Sequence, residues 1–96
     1  YYSKEADISN SQLASDCVID GTVEDSIIFR KVLIEKTASV KNSLIMQGCK
    51  IAQGAELQYV ILDKGVKIGP GVQLIGTKEN PIVIEKNSEI TVEKES

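Results

Sequence analysis

The feature that most constrains this chain is a recurring spacing of aliphatic residues. With Val40 as position zero, apolar residues stand at offsets 0, 5, 9, 11 and 15: Val40, Ile45, Cys49, Ile51 and Ala55. The same offsets from Val23 give Val23, Ile28, Val32, Ile34 and Ala38. From Leu57 they give Leu57, Leu62, Val66, Ile68 and Val72, and from Ile8 they give Ile8, Leu13, Cys17 and Ile19 before closing on Val23. The starts at 8, 23, 40 and 57 lie 15, 17 and 17 residues apart, and a further one falls at Leu74. A helix wants apolar steps of three and four, and a half-buried strand wants alternation; this pattern is neither.

Within each unit the internal step is six, and a small or apolar residue follows four places after each aliphatic one, as in "IAQGAE" (51–56) and "IGPGVQ" (68–73). That is the hexapeptide rule of a triangular parallel β-helix. Each hexad makes one flat side, three sides make one coil, and the aliphatic residue points inward. The predicted fold is all-β, a single-stranded β-helix of about four to five coils, with one side a residue short. Composition agrees: with one Phe, three Tyr and no Trp, the core must be built from Val, Ile and Leu, which favour strands. Coils stacked at about 4.8 Å place equal offsets over one another. The predicted core is therefore three ladders: Leu13, Ile28, Ile45 and Leu62; Cys17, Val32, Cys49 and Val66; and Ile19, Ile34, Ile51 and Ile68.

Corners need residues that tolerate positive φ, chiefly Gly, Asn and Asp. Asn10, Asp25 and Asn42 supply one corner, each followed by Ser, with Tyr59-Val60 the exception. Asp16, Gly48 and Gly65 supply the second, and Gly54 and Gly71 the third. Lys31 and Thr37 lack suitable chemistry, so the second coil is expected to be the most strained or irregular. Along the chain, residues 1–7 read as a linker or strand from a preceding domain, and 8–74 as coils. Residues 75–81 ("IGTKENP") form a loop closed by Pro81, 82–92 a terminal partial coil and 93–96 a frayed tail.

Several functions are excluded or disfavoured. The formal net charge is −3 with no basic patch, which argues against nucleic acid. No run of 18 apolar residues exists to span a membrane, and no leader precedes the repeat. The start without Met is expected of a fragment of a longer protein. There is no histidine, so neither an imidazole base nor an imidazole metal ligand can act here. Cys17 and Cys49 share an offset two coils apart, about 10 Å, beyond the roughly 7 Å that a disulfide spans. They read as buried thiols packing as small hydrophobes, which suits a reducing cytoplasm. Asp16, Asp20, Glu24 and Asp25 read as solvated corner residues rather than an acid/base pair. "IGPG" (68–71) is a turn, without the strand-to-helix setting of a phosphate loop. Arg30 and Lys31, with Lys36 and beside Phe29, form a basic cluster whose functional reading is an effector or interface contact and whose plain one is charged surface. Tyr1, Tyr2 and Tyr59 could pack on a partner or locally.

On these residues a resemblance can be stated. "CVIDGTVEDSIIFRKVLI" (17–34), "SVKNSLIMQGCKI" (39–51), "VILDKGVKI" (60–68) and "PIVIEKNSEI" (81–90) resemble the C-terminal β-helix domain of glucose-1-phosphate adenylyltransferase (ADP-glucose pyrophosphorylase), most closely its GlgD-type subunit. The resemblance covers residues 8–92 and implies a left-handed coil, against the usual right-handed crossover. It implies a parent that makes ADP-glucose and pyrophosphate from ATP and glucose 1-phosphate with Mg²⁺, for glycogen synthesis. Catalysis would belong to an N-terminal nucleotidyltransferase domain, so no catalytic, cofactor or metal residue is expected in this chain. Its expected partners are that domain and homologous subunits in a homo- or hetero-oligomer; the parent would be catalytic or regulatory. Open coil ends need caps or partners, so the chain alone is expected to self-associate or be marginally stable. The alternatives are the β-helix of another sugar nucleotidyltransferase or a non-catalytic acyltransferase-like domain. An active hexapeptide acyltransferase and a γ-type carbonic anhydrase both need histidine. An ice-binding lattice needs a threonine ladder that Thr22, Thr37, Thr77 and Thr91 do not make.

Overall fold

The computed structural model describes residues 2–4 and 6–92. Among them the regular structure is all strand, in five successive coils of three short strands each. The first coil holds β1 (Asp7–Ser9), β2 (Gln12–Leu13) and β3 (Val18–Ile19); the second holds β4 (Thr22–Glu24), β5 (Ile27–Ile28) and β6 (Leu33–Ile34). The third holds β7 (Ser39–Lys41), β8 (Leu44–Ile45) and β9 (Lys50–Ile51), and the fourth β10 (Glu56–Gln58), β11 (Val60–Leu62) and β12 (Lys67–Ile68). The fifth holds β13 (Gln73–Ile75), β14 (Ile82–Ile84) and β15 (Glu89–Ile90). Each strand pairs in parallel with its equivalent one coil away, giving three five-stranded sheets that form the sides of a prism.

The register matches the aliphatic spacing. Ile8, Val23, Val40, Leu57 and Leu74 align on the first side. Leu13, Ile28, Ile45, Leu62 and Ile84 align on the second, and Ile19, Ile34, Ile51, Ile68 and Ile90 on the third. Like lies over like, so the interior is a stack of branched aliphatics in steady contact. The middle coils are sealed, whereas Ile8, Leu13, Leu74, Ile84 and Ile90 are only partly buried because each has a neighbouring coil on one side alone. Of the predicted core, Leu13 is thus the one residue left half-covered.

All twelve positive-φ residues among the described ones fall in the three corner columns. Asn10, Asp25, Asn42 and Tyr59 take φ of 47–53° at the first corner. Asp16, Lys31, Gly48, Gly65 and Asn87 take 57–76° at the second, and Thr37, Gly54 and Gly71 take 61–75° at the third. Lys31 and Thr37 are therefore held left-handed by the register of their neighbours, against their own preference. The strain expected of the second coil is confined to those corners; its strands keep unbroken register. Irregularity falls on the first and fifth coils instead. In the first, Asp20-Gly21 cuts the corner that residues 35–38 turn in the second. Only glycine fits there, because a Cβ at Gly21 would stand 2.4 Å from the Ala38 carbonyl oxygen.

The first described residues join the stack. Tyr2 bridges Ile19 in parallel, the Ser3 N–H donates to the Ile19 carbonyl at 2.9 Å, and Ala6 packs on the core. In the fifth coil, β13 continues through Ile75, which pairs with Gln58, so the excursion comprises residues 76–81. It is pinned at both ends: Gly76 N–H donates to the Gln58 carbonyl at 2.8 Å and Ile82 N–H to the Tyr59 carbonyl at 3.0 Å. The proposed tail at 93–96 lies outside the described residues.

Candidate functional site: an apolar outer face and a basic corner

The two thiols are structural. Cys17 and Cys49 are buried in the same column; Cys17 Sγ lies 3.0 Å from the Phe29 carbonyl oxygen, and Cys49 Sγ 3.0 Å from that of Asp63. Burial pushes the Cys49 thiol pKa up, against smaller opposing effects of backbone hydrogen bonds at Val66 and Gly65. A nucleophilic cysteine needs the reverse. No group of three or more Cys, Asp or Glu side chains placed to hold a metal ion occurs among the described residues.

The first corner holds an unanticipated serine ladder. Ser26 N–H donates to Ser11 Oγ, Ser43 N–H to Ser26 Oγ and Val60 N–H to Ser43 Oγ, each at 3.1 Å. Each hydroxyl donates in turn to the carbonyl two residues before it, at Ser9, Glu24 and Lys41. The recurrence of Ser after each Asn or Asp was the visible signal. The ladder ties coils together at the first corner by giving the Ser26, Ser43 and Val60 N–H groups a side-chain acceptor. Its role is structural.

Function must therefore lie on the outside, and the three outer faces differ. The first is polar, with Thr22, Glu24, Ser39 and Lys41 outward and a Lys41–Glu24 ion pair at 3.7 Å. The third begins apolar at Val18 and Leu33, then turns charged, with a Lys50–Glu35 pair at 3.9 Å. The second carries a continuous aliphatic ladder. Ile27, Leu44, Ile61 and Val83 align from β5 to β14, and the column beside them starts with Phe29 and Met46 and continues with Asp63 and Glu85. Val83 is 62% exposed, Ile27 45% and Phe29 42%, values proper to surface residues and unusual for a contiguous apolar row.

Along one edge of that face runs a basic corner. Arg30, Lys31 and Lys64 line a shallow cleft with Gln47, Gly48 and Gly65. Among the described residues neither Arg30, Lys31 nor Lys64 has a carboxylate partner within ion-pair distance. Arg30, Gln47 and Lys64 occupy the same column, so the cations span two coil steps, roughly 10 Å. Lys64 was missed in sequence, although two periods of 17 from Arg30 lead to it. Lys36 does not join this cluster: it lies at the third corner, across a full prism side, near Glu35 and Asp20. Its nearness in sequence misled because five residues from Lys31 are enough to cross a side.

Stacked parallel rungs, an aliphatic interior and left-handed corners define a hexapeptide-repeat β-helix. More narrowly, the chain belongs to the GlmU-like, C-terminal hexapeptide family, whose model matches residues 2–81. It is 53% identical over 87 residues to the glycogen biosynthesis protein GlgD of Geobacillus stearothermophilus, covering 91% of this chain and 25% of that protein. It is 42% identical over 85 residues to GlgD of Bacillus subtilis, covering 88% and 25%. Against the glucose-1-phosphate adenylyltransferase of G. stearothermophilus it is 49% identical over 41 residues, covering 43% and 11%. The chain spans about a quarter of the length of the GlgD proteins it matches.

Proposed function

We propose that this chain is the C-terminal assembly and regulatory domain of a GlgD-type subunit related to glucose-1-phosphate adenylyltransferase, acting in glycogen biosynthesis in the cytoplasm. One observation carries this reading: the GlgD match runs along 91% of the chain, whereas the adenylyltransferase match covers 43%. The parent reaction is formation of ADP-glucose and pyrophosphate from ATP and glucose 1-phosphate. ATP and Mg²⁺ are assigned to the nucleotidyltransferase part of the parent, and no residue of this chain is assigned to them. The working parts here are surfaces: an outer apolar face for assembly with the parent domain or homologous subunits, and Arg30 and Lys31, with Lys64, as a candidate anion contact for regulation.

The test uses the full-length parent, purified alone and co-expressed with the catalytic adenylyltransferase of the same organism. The expected result is little ADP-glucose formation alone, a mixed oligomer on co-expression, and altered kinetics or effector response in the mixture. Full turnover by the parent alone, with no mixed species and no change in its partner's kinetics, overturns the proposal.

A further inference from the structure

We infer that Asn10 is a site of spontaneous modification, losing its side-chain ammonia to become aspartate or isoaspartate ahead of the chain's other asparagines. Asparagine is a chemically labile residue, and the reaction is internal to the chain. The backbone nitrogen of the following residue attacks the side-chain Cγ and forms an N–C bond. Nδ2 leaves as ammonia, carrying the proton that the backbone nitrogen gives up. Water then opens the five-membered imide at either carbonyl, giving aspartate or, with the main chain rerouted through Cγ, isoaspartate. Asn10, Asn42 and Asn87 are each followed by serine, so their intrinsic reactivities match; Asn80 precedes Pro81, whose nitrogen carries no proton. All three Asn-Ser sites are exposed and left-handed, at φ 47°, 51° and 60°. With ψ at roughly +30 to +60° in that region, the following nitrogen points away from Cβ and the ring cannot close. The corner must open first, and what holds it shut sets the rate.

The three corners are held very differently. Asn42 N–H donates to the Glu24 carbonyl at 3.0 Å, and the attacking Ser43 N–H to Ser26 Oγ at 3.1 Å. The next coil fastens that corner from its other side, through Tyr59 N–H on the Lys41 carbonyl and Val60 N–H on Ser43 Oγ, both at 3.1 Å. On the last coil, Asn87 N–H donates to the Lys64 carbonyl at 2.8 Å and Ser88 N–H to that of Glu85 at a long 3.3 Å. Asn10 and Ser11 stand where the serine ladder ends. Neither N–H has an acceptor among the described residues. Their corner is fastened from one side only, by Asp25 N–H on the Ser9 carbonyl and Ser26 N–H on Ser11 Oγ, both at 3.1 Å. The nucleophile is thus already unpaired, and opening breaks fewer bonds between coils than at Asn42. The product bears on the fold. The Asn10 amide donates to the Asp25 carboxylate, and a carboxylate in its place meets that group with like charge and no donor. Isoaspartate also lengthens the main chain by one atom in the corner that presents Ser11 Oγ to the Ser26 N–H. Modification loosens the first coil and spares the sealed middle ones.

The test is peptide mapping by mass spectrometry of the full-length protein that carries this chain, aged in warm, mildly alkaline buffer both native and unfolded in urea. In urea the three Asn-Ser sites should react at similar rates. In the native protein Asn10 should lead Asn42 by at least about tenfold, with Asn87 between them. Ser26→Ala strips the acceptor from the Ser43 N–H and should speed Asn42 severalfold while Asn10 hardly changes. Asn10→Asp should quicken amide exchange at Asp25 and Ser26 and leave that at Lys50, in the third coil, as it was. Native rates that are equal at the three sites, or led by Asn42, overturn the proposal. So does an Asn10 that stays intact while the unfolded protein reacts, since another part of the molecule then closes the corner. An Asn42 rate untouched by Ser26→Ala overturns the premise that ladder bonds set the order. These readouts are independent of the parent's turnover and oligomeric state, so failure here is separable from failure of the functional reading.

Discussion

Ile51→Ala tests the stacked interior at its centre. Ile51 is fully buried, with Ile34 on one side of it in the column and Ile68 on the other. The substitution removes three carbons, worth about 2.4 kcal/mol at roughly 0.8 kcal/mol each. The cavity adds to that only as far as the surroundings fail to collapse, and here they are clamped. Glu35 N–H bonds the Ile51 carbonyl at 2.9 Å, and Lys50 and Ala52 N–H groups bond Val66 and Ile68 carbonyls at 3.0 and 2.9 Å. Rungs fixed by these ladders cannot close by an ångström without breaking bonds, so the cost should sit in the upper part of the usual range, about 3–4 kcal/mol. At about 4–8 °C per kcal/mol for a domain this size, Tm falls by roughly 12–30 °C. The internal control is Ile90→Ala, the same change in the same column but on a half-covered terminal coil, expected to cost about half as much. Urea and thermal unfolding by circular dichroism at matched protein concentration measure both. A loss below about 1.5 kcal/mol for Ile51→Ala, or equal losses for the two variants, would refute the clamped-stack reasoning.

Thr37→Gly should stabilise the chain by about 0.5–1 kcal/mol, because a β-branched residue at φ 61° costs more than glycine's added chain entropy; a lowered urea midpoint would count against this. Ser43→Ala should cost about 1–3 kcal/mol, since it strands the Val60 N–H that Ser43 Oγ now accepts, and amide exchange at Val60 should quicken in step. The Cys49 thiol, raised above its ordinary 9.0 by burial, should resist alkylation in the native chain at neutral pH and react only on unfolding. Because folding favours the neutral thiol, its contribution to stability is intact below the ordinary pKa. It is lost as pH climbs through the raised value, so unfolding free energy should fall in alkali less steeply for Cys49→Ala than for the parent chain.

The division between what the residues disclosed and what they withheld follows the direction of the side chains. Inward positions are under one shared demand, to fill a triangular interior of fixed spacing, so Ile19, Ile34, Ile51 and Ile68 repeat and the period can be read. Corner conformation was half legible: Asn42 and Gly48 announce a left-handed turn, whereas Tyr59, Lys31 and Thr37 adopt it only because strands on either side are already in register. The outer ladder was overlooked because each of its residues immediately precedes an inward one, in the doublets Ile27-Ile28, Leu44-Ile45, Ile61-Leu62 and Val83-Ile84. One aliphatic of each pair satisfies the core, and a strand with a solvated outer face has no use for the other. Four doublets at one offset therefore demand a second apolar environment, and the fold supplies none within the chain. The same test applied to the other sides finds polar residues before Val23 and Val40 on the first, and on the third the doublets Val18-Ile19 and Leu33-Ile34 before a lysine precedes Ile51 and Ile68. Only on the second side does the excess run through four successive coils, and a surface that departs from its neighbours' chemistry while keeping their backbone is better explained by something that covers it than by the requirements of folding.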